Sequence, residues 1–198
     1  MNIAVLGGSF DPPHRGHTII AKRLLKLNNF DEIWFMPLFA HPFSKKLSGP
    51  QKRLEMIKLL EGGNIKVSDF EIRKKTISYT LDTLRFLSKN NSKDKFSWVI
   101  GTDQIEDFTK WKNWREIINN FRLIIVPRAG YRKAVAELKN ISRLVANPEN
   151  IILIDKKKFP PIYISSTLAR RKIKEGKSLK SMLPEKVEEY IILHRLYQ

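Results

Sequence analysis

Six short apolar runs recur along this chain with stretches of helical period between them, and that alternation limits the available folds more than any other feature. The runs are Asn2 to Leu6, Glu32 to Met36, Ile65 to Ser68, Phe96 to Ile100, Arg122 to Val126 and Ile151 to Ile154. Between them Ile20, Leu24 and Leu27 share a helical face, as do Leu54, Ile57 and Leu60, and then Leu81, Leu84 and Leu87. Parallel neighbours cannot be joined by a tight turn, so strands separated by helices predict βαβ units. The expected class is α/β, with a doubly wound parallel sheet. Pro148 and the pair Pro160-Pro161 punctuate the last third, after which closing helices are expected over Ser166 to Lys174 and Pro184 to His194.

At 198 residues the chain supplies one well-buried core and is short for two, so a single domain over residues 1 to 198 is expected. No apolar run approaches the roughly 20 residues that span a bilayer. The first run starts at Asn2 with no basic leader ahead of it, which makes the cytoplasm the expected location. There is no cysteine, which excludes disulfides and thiolate-bound zinc. Lys and Arg number 37 against 20 Asp and Glu, a net charge of +17 that favours anionic partners without choosing among them. A basic nucleic-acid-binding protein without catalysis would suit that charge, but it should show a stripe of interleaved basic and aromatic residues. The basic clusters Arg73-Lys74-Lys75, Lys156-Lys157-Lys158 and Arg170-Arg171-Lys172 are scattered and read as solvated surface.

Ligands of open α/β sheets bind beyond the carboxyl ends of the strands, where the crossovers change face. That rule directs attention to "GGSFDPPHRGH", residues 7 to 17, and to "GTD" at 101 to 103. Gly7 and Gly8 are expected to allow positive φ and a close approach of phosphate to the backbone. Ser9, Phe10, Asp11 and Pro12-Pro13 make a rigid turn, and a helix should begin near Arg15 with its free N–H groups facing the same space. His14 and His17 then sit side by side as two imidazole donors over an anion. No third ligand at metal spacing accompanies them, so no protein-held metal is expected.

This string resembles the (H/T)xGH signature of the nucleotidyltransferase superfamily, and within it the bacterial nicotinate mononucleotide adenylyltransferases. "ISSTLAR", residues 164 to 170, is similar to the superfamily's ISSTxxR motif, and "TISYTLDTL", "GTDQIEDFTKWKNWREI", "VPRAG" and "PEKVEEYIILHRLY" extend the likeness over most of the chain. The resemblance implies a Rossmann-like nucleotidyltransferase fold and transfer of the adenylyl group of ATP to nicotinate mononucleotide, yielding nicotinate adenine dinucleotide and pyrophosphate. By the same resemblance His14, His17 and Arg170 act on the phosphates, and Gly7, Gly8, Ser9, Phe10, Ser165, Ser166, Thr167 and Asp103 bind ATP. Thr80, Trp111 and Arg128 would bind the pyridine mononucleotide, with Mg²⁺ entering alongside ATP. Nicotinamide mononucleotide and phosphopantetheine are the alternative acceptors within the superfamily.

The chain departs from that family after its second strand. Relatives carry Pro-His-Lys, whereas "AHPFSKK", residues 40 to 46, has Phe43 at the histidine and Ser44 at the lysine. The cationic role toward the triphosphate is expected to move to Lys45, with Lys46 beside it.

Overall fold

The computed structural model describes residues 1 to 27, 29 to 41, 47 to 128 and 131 to 198. Ile3, Ala4, Val5 and Leu6 are buried on both faces of their strand, as a central parallel strand requires. This strand, β1 (Asn2–Gly8), leads to helix α1 (Arg15–Lys26) and then β2 (Glu32–Pro37). Next come α2 (Pro50–Lys58), β3 (Ile65–Val67), α3 (Phe70–Arg73), α4 (Thr80–Asn90) and β4 (Lys95–Gly101). The second half runs through α5 (Ile105–Phe108), α6 (Trp114–Asn120), β5 (Arg122–Val126), α7 (Tyr131–Ser142), β6 (Ile151–Leu153), α8 (Ser166–Lys174) and α9 (Glu185–Leu193). Among the described residues the strands form one sheet of order β3-β2-β1-β4-β5-β6, with every pairing parallel. The order reverses between β1 and β4, so the crevice lies where those two strands end.

Alternation along β1 divides the core. Ile3 and Val5 face a layer with Leu81, Leu84 and Leu87 of α4, Ile117 of α6 and Leu138 of α7. Ala4 and Leu6 face the opposite layer, with Ile20 and Leu24 of α1 and Leu54 and Ile57 of α2. A third cluster mounts α8 and α9 on α2 through Met56, Ala169, Leu183, Val187 and Ile191. Trp114 belongs to the first layer, at 7% exposure, and is a packing residue. Helix α8 has the expected bounds, and α9 is one residue shorter at each end than the expected span.

Candidate active site

The strands at the switch point run further than the apolar pattern suggests, because glycine extends both. Gly7 and Gly8 continue β1 in parallel register with Met36 and Pro37, and neither has a positive φ. The positive φ expected at these glycines is therefore corrected. A Cβ at Gly7 would lie 2.2 Å from the Trp98 ring, so glycine is there to let an indole from β4 cover the strand. At the end of β4, a Cβ on Gly101 would lie 2.2 Å from Asp103 Oδ1 and 2.5 Å from Arg128 Cδ. Its absence lets the Arg128 Nε approach Asp103 Oδ2 at 3.3 Å over the strand end.

Above these strand ends opens a cavity of about 580 Å³. It is lined by Gly7, Gly8, Ser9, Trp98, Asp103, Thr80 and Trp111, among others. That volume lies in the range of small-ligand sites. Trp111 packs against the first core layer, with its ring centroid 5.3 Å from that of Phe108, and still presents a face to the cavity. Thr80 opens α4 on the same wall. Lys110 and Lys112 add cations; Lys110 Nζ is held by Asp107 at 2.6 Å, while Lys112 Nζ lies 4.5 Å from the Tyr79 ring centroid. Glu71 also lines this wall, where burial raises its carboxyl and the Thr83 hydroxyl donates to it at 2.6 Å.

Arg128 does not line that cavity among the described residues. Its Nη2 donates to the Ile164 carbonyl at 3.2 Å, and its charge acts on both histidines, which places it toward the phosphate motif rather than with Trp111. Phe10 is 2% exposed and its ring packs edge-on to Phe35 and His17, which leaves its backbone for any contact with a nucleotide. Lys45, expected to reach the triphosphate, lies outside the described residues, as do Phe43, Ser44 and Lys46.

His14 precedes α1 in extended conformation, and its N–H donates to His17 Nδ1 at 3.1 Å. The two rings stack with centroids 3.8 Å apart. Burial first, and then the Arg128 guanidinium, push His14 down from 6.5 to about 3; burial, His14 and Arg128 lower His17 in the same direction. Both rings are therefore neutral near pH 7. Because Nδ1 of a neutral His17 accepts a hydrogen bond, its proton sits on Nε2. His14 Nδ1 is buried and has no partner among the described residues. The α1 N-terminus is less open than the sequence suggested, since the Arg15 N–H donates to the Met182 carbonyl at 2.8 Å.

Helix α8 closes the other side. Ser165 Oγ accepts from the Leu168 N–H at 3.2 Å, capping the helix, and the Ser166 hydroxyl donates to the Pro12 carbonyl at 2.9 Å. Both hydroxyls expected on the phosphates make protein contacts, and Thr167 is exposed at the helix start. Arg170 Nη1 donates to the Asp11 carbonyl at 2.5 Å and Nη2 to Thr167 Oγ1 at 3.4 Å. The two motifs, far apart in sequence, meet through Asp11 and Pro12.

Arg53 was not singled out from the sequence. Fully buried, its guanidinium donates to the carbonyls of Ser9, Leu38, Phe39 and Ser48 at 2.8 to 2.9 Å, joining the loops that follow β1 and β2 to the start of α2. Its spacing was a usable signal. Arg53 stands three and four residues before Met56 and Ile57, on the apolar face of α2.

Residues 5–172 match the family model described as cytidylyltransferase-like. A protein of Caldicellulosiruptor saccharolyticus named probable nicotinate-nucleotide adenylyltransferase is 35% identical over 202 residues, covering 100% of both chains. One of Clostridium acetobutylicum with the same name is 34% identical over 200 residues, with 98% of each chain covered. Among solved structures, the Plasmodium falciparum nicotinic acid mononucleotide adenylyltransferase complexed with NaAD shares this fold at a TM-score of 0.79 and 22% identity, covering 99% of this chain and 97% of that one.

Proposed function

We propose, from the premise that the chain belongs to the cytidylyltransferase-like family and within it to the nicotinate-nucleotide adenylyltransferases, that it transfers the adenylyl group of ATP to nicotinate mononucleotide in NAD biosynthesis. The single observation that carries this reading is the stacked, neutral histidine pair, in the same segment after β1 as the Asp11 carbonyl that receives Arg170, with Gly8 and Ser9 of that segment lining a cavity shared with Trp111 and Thr80. The acceptor's 5′-phosphate is the nucleophile and is largely ionised at neutral pH, so no general base is needed. The protein's task is alignment of that oxygen with the α-phosphorus and stabilisation of charge as pyrophosphate departs. His17 Nε2–H and the His14 ring supply donors without positive charge of their own, while Arg170 supplies the charge on the β,γ side. Among the described residues no cluster of three or more His, Asp or Glu could hold a metal ion. On this reading Mg²⁺ would enter with ATP as part of the substrate. Asp103 faces the cavity for the adenosine ribose, and the nicotinate ring stacks on Trp111.

The whole chain acts as one nucleotidyltransferase unit on small molecules, not nucleic acid, in the cytoplasm. No described helix is long and apolar enough to cross a membrane. The test is to supply MgATP with nicotinate mononucleotide, nicotinamide mononucleotide or phosphopantetheine and separate the products. The acid acceptor should give the highest kcat/KM, because its carboxylate gains charge-assisted contacts from the lysine-bearing wall that an amide cannot match. Equal values for the two pyridine acceptors would remove the acid preference and leave adenylyl transfer standing. Product only with phosphopantetheine would overturn the acceptor.

A further inference from the structure

Beyond α9 the chain passes through two left-handed backbone positions, Arg195 (φ 48°) and Tyr197 (φ 65°), a region non-glycine residues seldom occupy. Two anchors hold it there. Leu196, 8% exposed, joins the third cluster with Met56 and Leu179, and the Tyr197 hydroxyl donates to Asp11 Oδ1 at 2.6 Å. Asp11 is itself 3% exposed; its Oδ2 accepts the Ser48 N–H at 3.2 Å, and its carbonyl receives Arg170 Nη1. Burial and the bond to Asp11 raise the Tyr197 phenol above its ordinary value, opposed by the Ser48 hydroxyl and Arg170 that face it, so the phenol remains a donor at neutral pH.

We infer that Tyr197 is a positioning residue for the ATP side of the site. By holding the Asp11 carboxylate it orients the residue whose carbonyl holds the Arg170 guanidinium, and it ties Ser48, at the foot of α2, to the same point. None of these contacts touches the wall formed by Thr80 and Trp111. The inference rests on the adenylyl-transfer reading, and it separates the two halves of that reaction. Loss of the phenol should loosen the grip on the triphosphate and leave acceptor binding alone, because sub-ångström misplacement of a charge-bearing group is felt mainly by the phosphates it faces.

The experiment measures Tyr197→Phe against wild type by calorimetric binding of Mg²⁺ with α,β-methylene ATP, binding of nicotinate mononucleotide, and kcat. The expected result is about tenfold weaker binding of the analogue and about tenfold lower kcat, with acceptor binding within twofold. Adding Tyr197→Phe to Asp11→Ala should cost less than a further twofold if the phenol acts through that carboxylate. Wild-type affinity for the analogue, equal losses for both ligands, or fully multiplicative effects in the double variant each overturn the proposal. Should Tyr197→Phe not fold, Asp11→Ala alone carries the same expected split and the same refutation. Turnover by the wild-type enzyme tests the adenylyl-transfer reading separately, so failure of the split in an active enzyme counts against Tyr197 only.

Discussion

The His14 N–H bonded to His17 Nδ1 fixes which nitrogen of His17 carries its proton, and burial removes the charge the ring would otherwise take up. What remains is a directed neutral donor, and on the proposed function its hydrogen bond strengthens as negative charge grows on the phosphates. Removing one such preorganised donor typically costs ~100-fold or more in rate. His17→Ala should therefore lower kcat by at least about 100-fold while the fold survives. Steady-state kinetics beside a thermal melt check this, and a folded variant keeping a third of wild-type kcat would refute it. The histidines stood out through the whole string that carries them and its likeness to a known signature, and the structure brings their rings together. The spacing of Arg53 marks it as buried on α2 but not what it holds, since its partners are backbone carbonyls of distant loops, and the partner of Asp11, Tyr197, lies 186 residues away. Ser165 and Ser166 were read as ligands from the likeness of ISSTLAR to a known motif, and in the fold their hydroxyls also serve a helix cap and the Pro12 carbonyl.

At the scale of elements, the six strands were readable from apolar runs because a sheet buried on both faces writes itself as continuous hydrophobic sequence. Their carboxyl ends were harder, since Gly7 and Gly101 look like turn residues until the partner that crowds them is known. The Trp98 ring over Gly7 makes that crowding testable. Gly7→Ala should destabilise the protein by about 2 kcal/mol, the usual cost of overpacking, which for a chain of this size is a fall in Tm of roughly 4 to 8 °C. Trp98→Leu placed in the same chain should recover part of that loss by vacating the space. An unchanged melting temperature for Gly7→Ala would show that the indole moves aside freely, and that it does not shape the cavity floor.

For the whole molecule, the two lowered histidines couple stability to pH. Unfolding releases rings whose ordinary value is 6.5, whereas in the folded protein His14 titrates only at about 3 and His17 is shifted in the same direction. Below pH 6.5 the unfolded chain binds protons that the native state does not, so their contribution is complete above that value and is lost as pH falls toward the folded values. The slope is about 1.4 kcal/mol per pH unit for each fully shifted group. Glu71, raised by burial, works in the opposite sense above the ordinary carboxylate range. Melts of ligand-free protein from pH 7 to pH 5 should show stability falling, and His17→Ala should show a shallower dependence. Parallel curves for the two proteins would mean that His17 is not held neutral.

Three hydrogen bonds join Asp11 and Pro12 to Arg170, Ser166 and Tyr197, across separations of 159, 154 and 186 residues. Synthesis delivers the histidines first and these partners last. All six strands precede residue 154 in the chain, whereas α8 and Tyr197 follow it. On the proposed function, a chain cut before residue 170 would keep both histidines and lack the arginine that meets Asp11, and one cut before residue 197 would lack the phenol that braces it.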